Sequence, residues 1–348
     1  MKNAIYTGSI FMCALLFILN PQASVTGIGQ AVFLCLTAII PSLFPYTVLT
    51  GLWVSSGADR SLSQKIGSIM KHMFHLPPSA VSAFLLGNIS GFPLGAQTVM
   101  QLYEKEAISK SEAEYLLFFC SNAGPAFIIG VVGRQLFQST IVGIILWCIH
   151  MGTSVLLGML FRPKIANNDY SSATSKVSDN FFQTFTASII NAGESLLRTC
   201  FFIAFFCVIT SHLSNLFQIL NIHNPLTIIF LGGLELSSGV TLLDALPAAT
   251  AFVAAAALLG WNGICIHCQV LSCCANKNIS LRLYFLGKLL HIALSTAVSC
   301  IVVRFLPYVL TCSTGTHLQP VTPYFVLQLP ALLFIAKIAS GKAKAFHI

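Results

Sequence analysis

The sequence predicts an all-α polytopic membrane protein with about eight transmembrane helices and two re-entrant helical hairpins in an inverted repeat. Of its 348 residues, 56% are apolar and 8% are charged, so the average residue prefers hydrocarbon to water. Apolar runs of spanning length recur along the whole chain, and two of them are interrupted by glycine-rich polar centres. The positive charges lie mostly between the runs, as expected of a chain that crosses a membrane repeatedly.

Eight runs each approach the ~20 residues that a bilayer core requires. They cover residues 4–19, 31–55, 114–133, 139–161, 183–212, 248–275, 283–305 and 324–340. No polar block between them is large enough to fold separately, so residues 1–348 are predicted to form a single membrane domain. The first run also has the composition of a secretory signal. Because further spans follow at once, we interpret it as a retained first helix.

Two further runs, 78–100 and 225–243, are broken by "GNISGFPLG" and "LGGLELSSG". Irregular backbone is tolerated inside a membrane where it is buried in protein or lines a cavity, so each run is predicted to be a hairpin that enters and leaves on one side. With both termini cytoplasmic, only Arg134 and Arg304 then lie outside, in agreement with the positive-inside bias. The cytoplasmic side receives Lys2, Arg60, Lys65, Lys71, Lys105, Lys110, Arg162, Lys164, Lys176, Lys277, Arg282, Lys288, Lys337, Lys342 and Lys344.

Each hairpin precedes a broken span, and this order defines two repeat units, 78–161 and 225–305. The first unit's span is broken at "CSNAGP" and the second unit's at "LGWNG". The first hairpin opens to the cytoplasm and the second opens outward, so the units are predicted to be inverted copies. Paired interruptions in corresponding halves indicate the midplane binding site of a secondary transporter.

Each break carries residues able to begin a new half-helix, with serine or asparagine capping its first N–H groups, and the remaining free N–H groups bind carboxylate or phosphate. These residues are Ser90 or Gly91 ahead of Pro93, Ser121 or Asn122 ahead of Pro125, Ser237 or Ser238, and Asn262 after Gly260. Kinks or close packing of small residues would use the same sequence without a ligand, but four breaks in corresponding places favour a solute site. The candidate binding residues are Asn88, Ser90, Gly91, Pro93, Gly95, Ser121, Asn122, Gly124, Glu235, Ser237, Ser238, Asn262 and Gln269.

Glu235 places a carboxylate at or near the second hairpin tip, where a lone charge costs at least ~3 kcal/mol. Beside a dicarboxylate solute it would be protonated or hold a coupling cation. Beside a nucleoside it would accept hydrogen bonds from sugar hydroxyls. A third interpretation pairs it only with the neighbouring N-terminal amides.

Other residues have weaker claims to a function. Cys265, His267 and Cys268 superficially suggest a metal site, but cysteine is also a common small apolar residue in buried helices, and no metal is predicted. Glu194 and Arg198 are spaced i,i+4. They form either an ion pair lining a path or a hydrated pair on an interfacial stretch, 181–197.

His150 is interpreted as a packing residue. The chain lacks an ATPase phosphate loop, a Ser-His-Asp pattern and a zinc-protease pattern, so we predict neither an enzyme nor a cofactor. A coupling proton or sodium ion stays open. The +8 net charge is scattered between apolar runs, which argues against a nucleic-acid partner.

Three segments carry a family resemblance. "GNISGFPLGAQTVMQLYEKEAISKSEAEYLLFFCSNAGPAFIIGVVG", "LGGLELSSGVTLL" and "LLGWNGICIHCQVLS" resemble the YlbJ type of sporulation integral membrane proteins, with nucleoside-recognition (Gate) domains, over residues 25–305. The resemblance implies a fold similar to concentrative nucleoside transporters and, in spore formers, movement of dipicolinate toward the forespore. Where the family often has a second small or amide residue in the first broken helix, this chain has Gly124. The motif positions that match are Ser90, Gly91, Pro93, Gly95, Asn122 to Pro125, Glu235, Gly239, Gly260, Gly263 and Gln269.

Two classes of function follow from these observations. The first is a secondary transporter or gated carrier for a small polar, anionic, aromatic solute such as dipicolinate, or for a nucleoside-type solute. The second is a non-transporting membrane scaffold of spore envelope assembly. The expected partners are the solute and the lipid bilayer, and a homo-oligomer is compatible with the sequence. The expected location is a bacterial inner (cytoplasmic) membrane, with the mother-cell-derived membrane around the forespore as the specific candidate.

Overall fold

The computed structural model describes residues 2–55, 63, 67–163, 181–222 and 224–305, and every regular element in these ranges is helical. Three segments are π-helical, Cys35–Ile39, Met70–Phe74 and Ala126–Leu136, and a 3-10 turn covers Leu243–Ala245. The α-helices are α1 (Lys2–Leu19), α2 (Pro21–Leu34), α3 (Ile40–Ser55), α4 (Ala80–Ile89), α5 (Leu94–Glu104), α6 (Lys110–Cys120), α7 (Thr140–Leu160), α8 (Phe181–Ile219), α9 (Pro225–Leu234), α10 (Leu236–Leu242), α11 (Ala248–Trp261), α12 (Ile264–Cys274) and α13 (Arg282–Phe305).

Within the residues that the structure describes, five helical segments are long and apolar enough to cross a membrane. They are Pro21–Ile39, Thr140–Leu160, Phe181–Ile219, Ala248–Cys274 and Arg282–Phe305. A polytopic helical membrane protein is thereby confirmed. The total of eight spans, the re-entrant path of the hairpins and the single-domain organisation stay predictions, and the run 324–340 lies outside the described residues.

Two spans differ in extent from the sequence expectation. The helix expected over 31–55 begins at Pro21, because the side chain of Asn20 accepts a hydrogen bond from Ala23 N and proline suits the first helical turn. Helix α8 runs for 39 residues, a length of about 58 Å against a bilayer core of about 30 Å. The stretch 181–197 is therefore continuous with the span of α8 and does not form a separate interfacial helix.

Pairs of glycines hold the two arms of each interrupted run together. A Cβ on Gly95 would lie 2.8 Å from the Cα of Gly87 across the first tip, and a Cβ on Gly232 would lie 3.3 Å from the Cα of Gly239 across the second. The Gly87 and Gly95 positions also abut the carbonyl oxygen of Cys120, at the end of α6. Backbones can approach this closely only where side chains are absent, as in other membrane helix contacts.

Each tip packs against the break that follows it in sequence. Gly91 has φ +82° and a Cβ there would lie 2.6 Å from Gly124 N, while Gly263 has φ +85° and a Cβ there would lie 3.1 Å from Leu236 N. Glycine adopts this left-handed backbone without steric cost. Both proposed repeat units thus share one local arrangement, a hairpin tip seated on a helix break.

Candidate functional site

The two broken helices meet through polar groups. We call Ser121–Gly124 break 1 and Asn262–Gly263 break 2. Asn262 Nδ2 donates a hydrogen bond to Ser121 O at 3.0 Å, and Lys288 Nζ from α13 donates to the same oxygen. All three residues are fully buried. The breaks predicted from sequence therefore lie together, and a lysine joins them.

Local sequence accounts for each break. Pro125 follows break 1, and a proline disfavours helical backbone in the residue before it and lacks an N–H of its own. At break 2 the backbone turns left-handed at Asn262, with φ +77°, and again at Gly263. Asn262 thus ends α11 rather than beginning α12, contrary to the expectation that it begins a new half-helix, and its side chain is free to reach Ser121.

Asn122 connects break 1 to its surroundings. Its Nδ2 lies 2.7 Å from Asn88 Oδ1, 2.7 Å from Phe119 O and 2.8 Å from Ser154 Oγ. Because an amide nitrogen has only two hydrogens, three acceptors share them. Ser154 Oγ in turn donates to Phe119 O at 2.6 Å. The first hairpin, break 1 and α7 are thereby linked by one buried network.

Lys288 is the main functional candidate that sequence reasoning missed. It was assigned to the cytoplasmic charges, but it lies in the second turn of α13 and is 0% exposed. The helix packs tightly at Gly287, where a Cβ would collide with the carbonyl oxygen of Phe118, and this contact brings Lys288 to Ser121. A signal was present in the sequence, since a lysine inside the apolar run "LGKLLHIAL" is by default a functional candidate.

His150 does more than pack. Its Nε2 accepts a hydrogen bond from Ala123 N at 3.1 Å, which holds the backbone of break 1. His291 Nε2 donates to His150 O at 3.0 Å, and the two rings stack with centroids 4.5 Å apart. Among the described residues, His150 Nδ1 has no hydrogen-bond partner.

Glu235 caps a helix at the second tip. Its carboxylate, 1% exposed, accepts hydrogen bonds from Ser237 N at 3.0 Å and Ser238 N at 2.6 Å. A negative charge at a helix N-terminus is favourable because it meets the positive end of the helix dipole. Ser237 and Ser238 therefore supply backbone amides and do not begin α10 themselves. This geometry matches the interpretation in which Glu235 pairs with neighbouring N-terminal amides.

The other half-helices begin without a side-chain cap. The capping positions are Pro93 before α5, Pro125 before the π-helix Ala126–Leu136, and Gly263 before α12. The expectation that serine or asparagine caps the half-helices is wrong at these positions. Asn122 and Asn262 instead donate to carbonyl oxygens at the C-terminal end of α6, which is the negative end of that helix.

The remaining predicted residues lie around this centre. Ser90 Oγ is 3.5 Å from Thr50 Oγ1 on α3. Gln269 is buried, and its Oε1 has no hydrogen-bond partner among the described residues. His267 Nδ1 lies 2.7 Å from the hydroxyl of Tyr284. The structure thus gathers Asn88, Ser121, Asn122 and Asn262 in one cluster and places Glu235 with Ser237 and Ser238 in another.

In the described part of the chain, three polar crevices lie along α8, and one of them reaches the second cluster at Ser238. Crevice A, about 560 Å³, lies between α3, α5 and the first part of α8 and includes Thr50, Gln97 and Asn191. Crevice B, about 370 Å³, lies between α5, α8 and α12 and includes Pro93 and Gln269. Crevice C, about 570 Å³, lies between α2, α10 and the last part of α8. It includes Gln30, Ser214 and Ser238.

Crevices A and B share Gln97, Asn191 and Ser195, whereas apolar side chains separate crevice B from crevice C. Crevice B ends on α8 at Phe202 and crevice C begins at Thr210. Between them, Ile203 and Cys207 are buried in a cluster with Cys265 of α12. Glu194 and Arg198 both line crevice B, where their side chains are exposed.

Comparison with known proteins yields one relative. No protein-family model matches the chain, and no solved structure matches it. The chain is 22% identical over 326 residues to "Sporulation integral membrane protein YlbJ" of Bacillus subtilis (strain 168), an alignment that covers 83% of this chain and 80% of that protein. The family resemblance of the sequence motifs is confirmed by this match, which carries no information on Gate domains. The protein is an integral membrane protein and a relative of the sporulation integral membrane protein YlbJ.

Proposed function

We propose that the protein is a secondary transporter or gated carrier for a small polar, anionic solute. The observation that carries the proposal is the arrangement of crevices A and C at different heights along α8. Asn191 lines crevice A and Ser214 lines crevice C, and their separation of 23 residues corresponds to about 35 Å along a helix. Polar cavities that approach a buried centre from two ends are what alternating access requires.

The hairpins supply the second argument. Crevice A is lined by α5, the second arm of the first hairpin, and crevice C by α10, the second arm of the other. A small displacement of either arm would change access to the break region from one end. Gln97 Nε2 donates to Ser195 Oγ of α8 at 2.7 Å. This contact would have to break if α5 moved away from α8.

The chemistry of crevice B suits a compact polar solute. Its volume of about 370 Å³ falls within the roughly 300–1,000 Å³ of small-molecule sites. Gln97, Arg198 and Lys277 offer N–H donors to a carboxylate there. Of the two cations among the described residues that line crevice B, Lys277 contacts Glu104 at 2.9 Å, and Arg198 is the one proposed to meet a ligand. Dipicolinate, the solute implied by the family resemblance, is our candidate, and a nucleoside-type solute is the alternative.

Sporulation enters the proposal through the relative's name alone. We propose the bacterial cytoplasmic membrane, and specifically the mother-cell-derived membrane around the forespore, as the location, with both termini cytoplasmic. We propose no enzymatic activity and no cofactor, because the match is to a membrane protein with no enzyme in its name. The solute and the lipid bilayer are the proposed partners, and a second copy of the chain would be compatible with this role.

Uptake into liposomes tests the proposal. Purified protein should move dipicolinate or a nucleoside at a saturable rate well above that of empty liposomes. The control is the Gly91→Leu variant, in which the first tip can no longer seat against break 1. Absence of uptake for both solute classes, with folded and inserted protein, would favour the scaffold of spore envelope assembly instead.

A further inference from the structure

Lys288 brings its amino group into a buried part of the protein where neutral oxygens accept its hydrogen bonds. Its Nζ donates to Ser121 O and lies 3.4 Å from Asn122 Oδ1. The Tyr284 ring lies beneath it, with its centroid 5.9 Å away. Among the described residues, no carboxylate comes within 4.0 Å of this ammonium. An ammonium is expensive to bury in a membrane protein, and Ser121 O and Asn122 Oδ1 are the oxygens placed to compensate it.

The position of these oxygens explains how they can do so. Helix α6 ends at Cys120, and the carbonyl groups at the end of a helix carry the negative part of its dipole. Unwound carbonyls at the ends of half-helices are also the groups that coordinate sodium ions in membrane transporters. Backbone and amide carbonyl oxygens suit a hard cation. Break 1 therefore has the donor chemistry of a cation site, and the group found there is an ammonium.

We propose that break 1 is a monovalent-cation site occupied by the protein's own Lys288 ammonium, so that sodium does not bind there in the wild-type protein. Because the cation is covalently attached to α13, it cannot be released into any crevice. One consequence, that solute movement needs no sodium at break 1, rests on the proposed function. Its binding test requires no solute.

Two substitutions at Lys288 separate the proposal from a simple loss of packing. Lys288→Ala removes the ammonium and leaves room for a free ion, whereas Lys288→Met removes the ammonium but fills most of the space. Lys110→Ala removes a lysine whose Nζ contacts Asn278 at the surface and serves as the control. Each purified protein is unfolded thermally in sodium chloride and in choline chloride at equal ionic strength, so that screening is the same.

The expected result is a sodium-dependent melting temperature in Lys288→Ala alone. A rise of roughly 2–4 °C in a chain of this length corresponds to sodium at about 10 to 100 times its dissociation constant. The wild type, Lys288→Met and Lys110→Ala should melt at the same temperature in both salts. Adding Asn122→Leu to Lys288→Ala should abolish the sodium effect, because one of the two oxygens is lost.

Several outcomes would overturn the inference. One is a wild-type protein whose melting temperature rises in sodium and loses that rise with Asn122→Leu. Another is a Lys288→Ala protein whose melting temperature is the same in both salts. If Lys288→Ala cannot be recovered folded, Lys288→Ser is measured in its place. Failure to recover either variant in sodium buffers also contradicts the inference, because a refilled cation site should restore the fold. The melting temperatures do not depend on solute uptake, so they test the cation site even if the protein transports no solute.

Discussion

The amide of Asn262 donates to the carbonyl oxygen of Ser121 at 3.0 Å and so joins the two broken helices directly. The residues are 141 positions apart in sequence, and both are fully buried. Ser121 O accepts from Lys288 as well, so one carbonyl group links α6, α11 and α13. The two hairpin units are thus in direct polar contact at this carbonyl group.

Asn262→Gly should destabilise the protein by about 1–2 kcal/mol, the usual effect of removing a buried hydrogen bond. Glycine keeps the left-handed backbone, so Asn262→Ala should cost about 1 kcal/mol more. Unfolding of the purified protein in detergent measures both. Asn221→Gly, at another left-handed position, φ +52°, is the control and should have little effect. Equal stability of Asn262→Gly and wild type would mean that this bond contributes nothing.

Gly91→Leu should abolish solute uptake while the protein remains inserted. A Cβ at Gly91 would lie 2.6 Å from Gly124 N, and φ is +82°, so the first tip must shift away from break 1. Uptake and membrane insertion are measured together. The matched control is Gly130→Leu, where a Cβ meets nothing within 4 Å. Normal uptake by Gly91→Leu would mean that this tip has no part in transport.

Asn122→Leu should lower stability by about 2–4 kcal/mol, because several buried polar groups lose their partner at once. The network itself is tested by a double-mutant cycle of Asn88→Ala and Asn122→Ala. The side chains are in direct contact at 2.7 Å, so we expect a coupling energy of at least about 0.5 kcal/mol. Additive effects of the two substitutions would show that the pair acts independently.

Glu235→Gln tests the carboxylate at the second tip. Loss of the charged cap should cost about 1 kcal/mol of stability. If the solute is a dicarboxylate, the variant should bind it as well or better, with weaker dependence on pH or sodium. If the solute is nucleoside-like, binding should weaken because a charge-assisted acceptor is lost. Asp244→Asn, an exposed acidic residue in the 3-10 turn, is the control. Unchanged binding and uptake in Glu235→Gln would mean that Glu235 caps its helix and has no part in solute binding.

Cysteine labelling tests whether crevices A and C open to opposite sides. In a background without exposed cysteines, Asn191→Cys should react only from the cytoplasm and Ser214→Cys only from outside. Ser68→Cys should behave like Asn191→Cys, because the predicted charge distribution places Ser68 in the cytoplasm and starts the span 183–212 from the same side. Reaction of Asn191→Cys and Ser214→Cys from one side would contradict alternating access through these crevices. The same charge distribution predicts that Ser172 is reachable only from the cytoplasm and Thr316 only from outside, and both lie outside the described residues.

The sequence alone determined the class of the protein and the places where its helices stop. Continuous apolar runs indicate segments that lie in hydrocarbon. Clusters of Gly, Pro and Asn inside such runs indicate interruptions of the helix, so the breaks at Asn122 and Asn262 were predictable from local sequence. The YlbJ relationship was predictable for the same reason, since these motifs are local strings.

Only the tertiary structure decided what the polar residues do at the breaks. Asn262 could accept a hydrogen bond from an N–H group or donate one to a carbonyl group, depending on which helix end faces it. It faces the C-terminal end of α6 at Ser121, which is distant in sequence. Charge counting groups Lys288 with the cytoplasmic charges at the start of its span, because a count of charges contains no information on the direction of a side chain. Because Gly287 packs against Phe118, the side chain of Lys288 points into the protein. There its Nζ contacts the carbonyl oxygen of Ser121 at the end of α6.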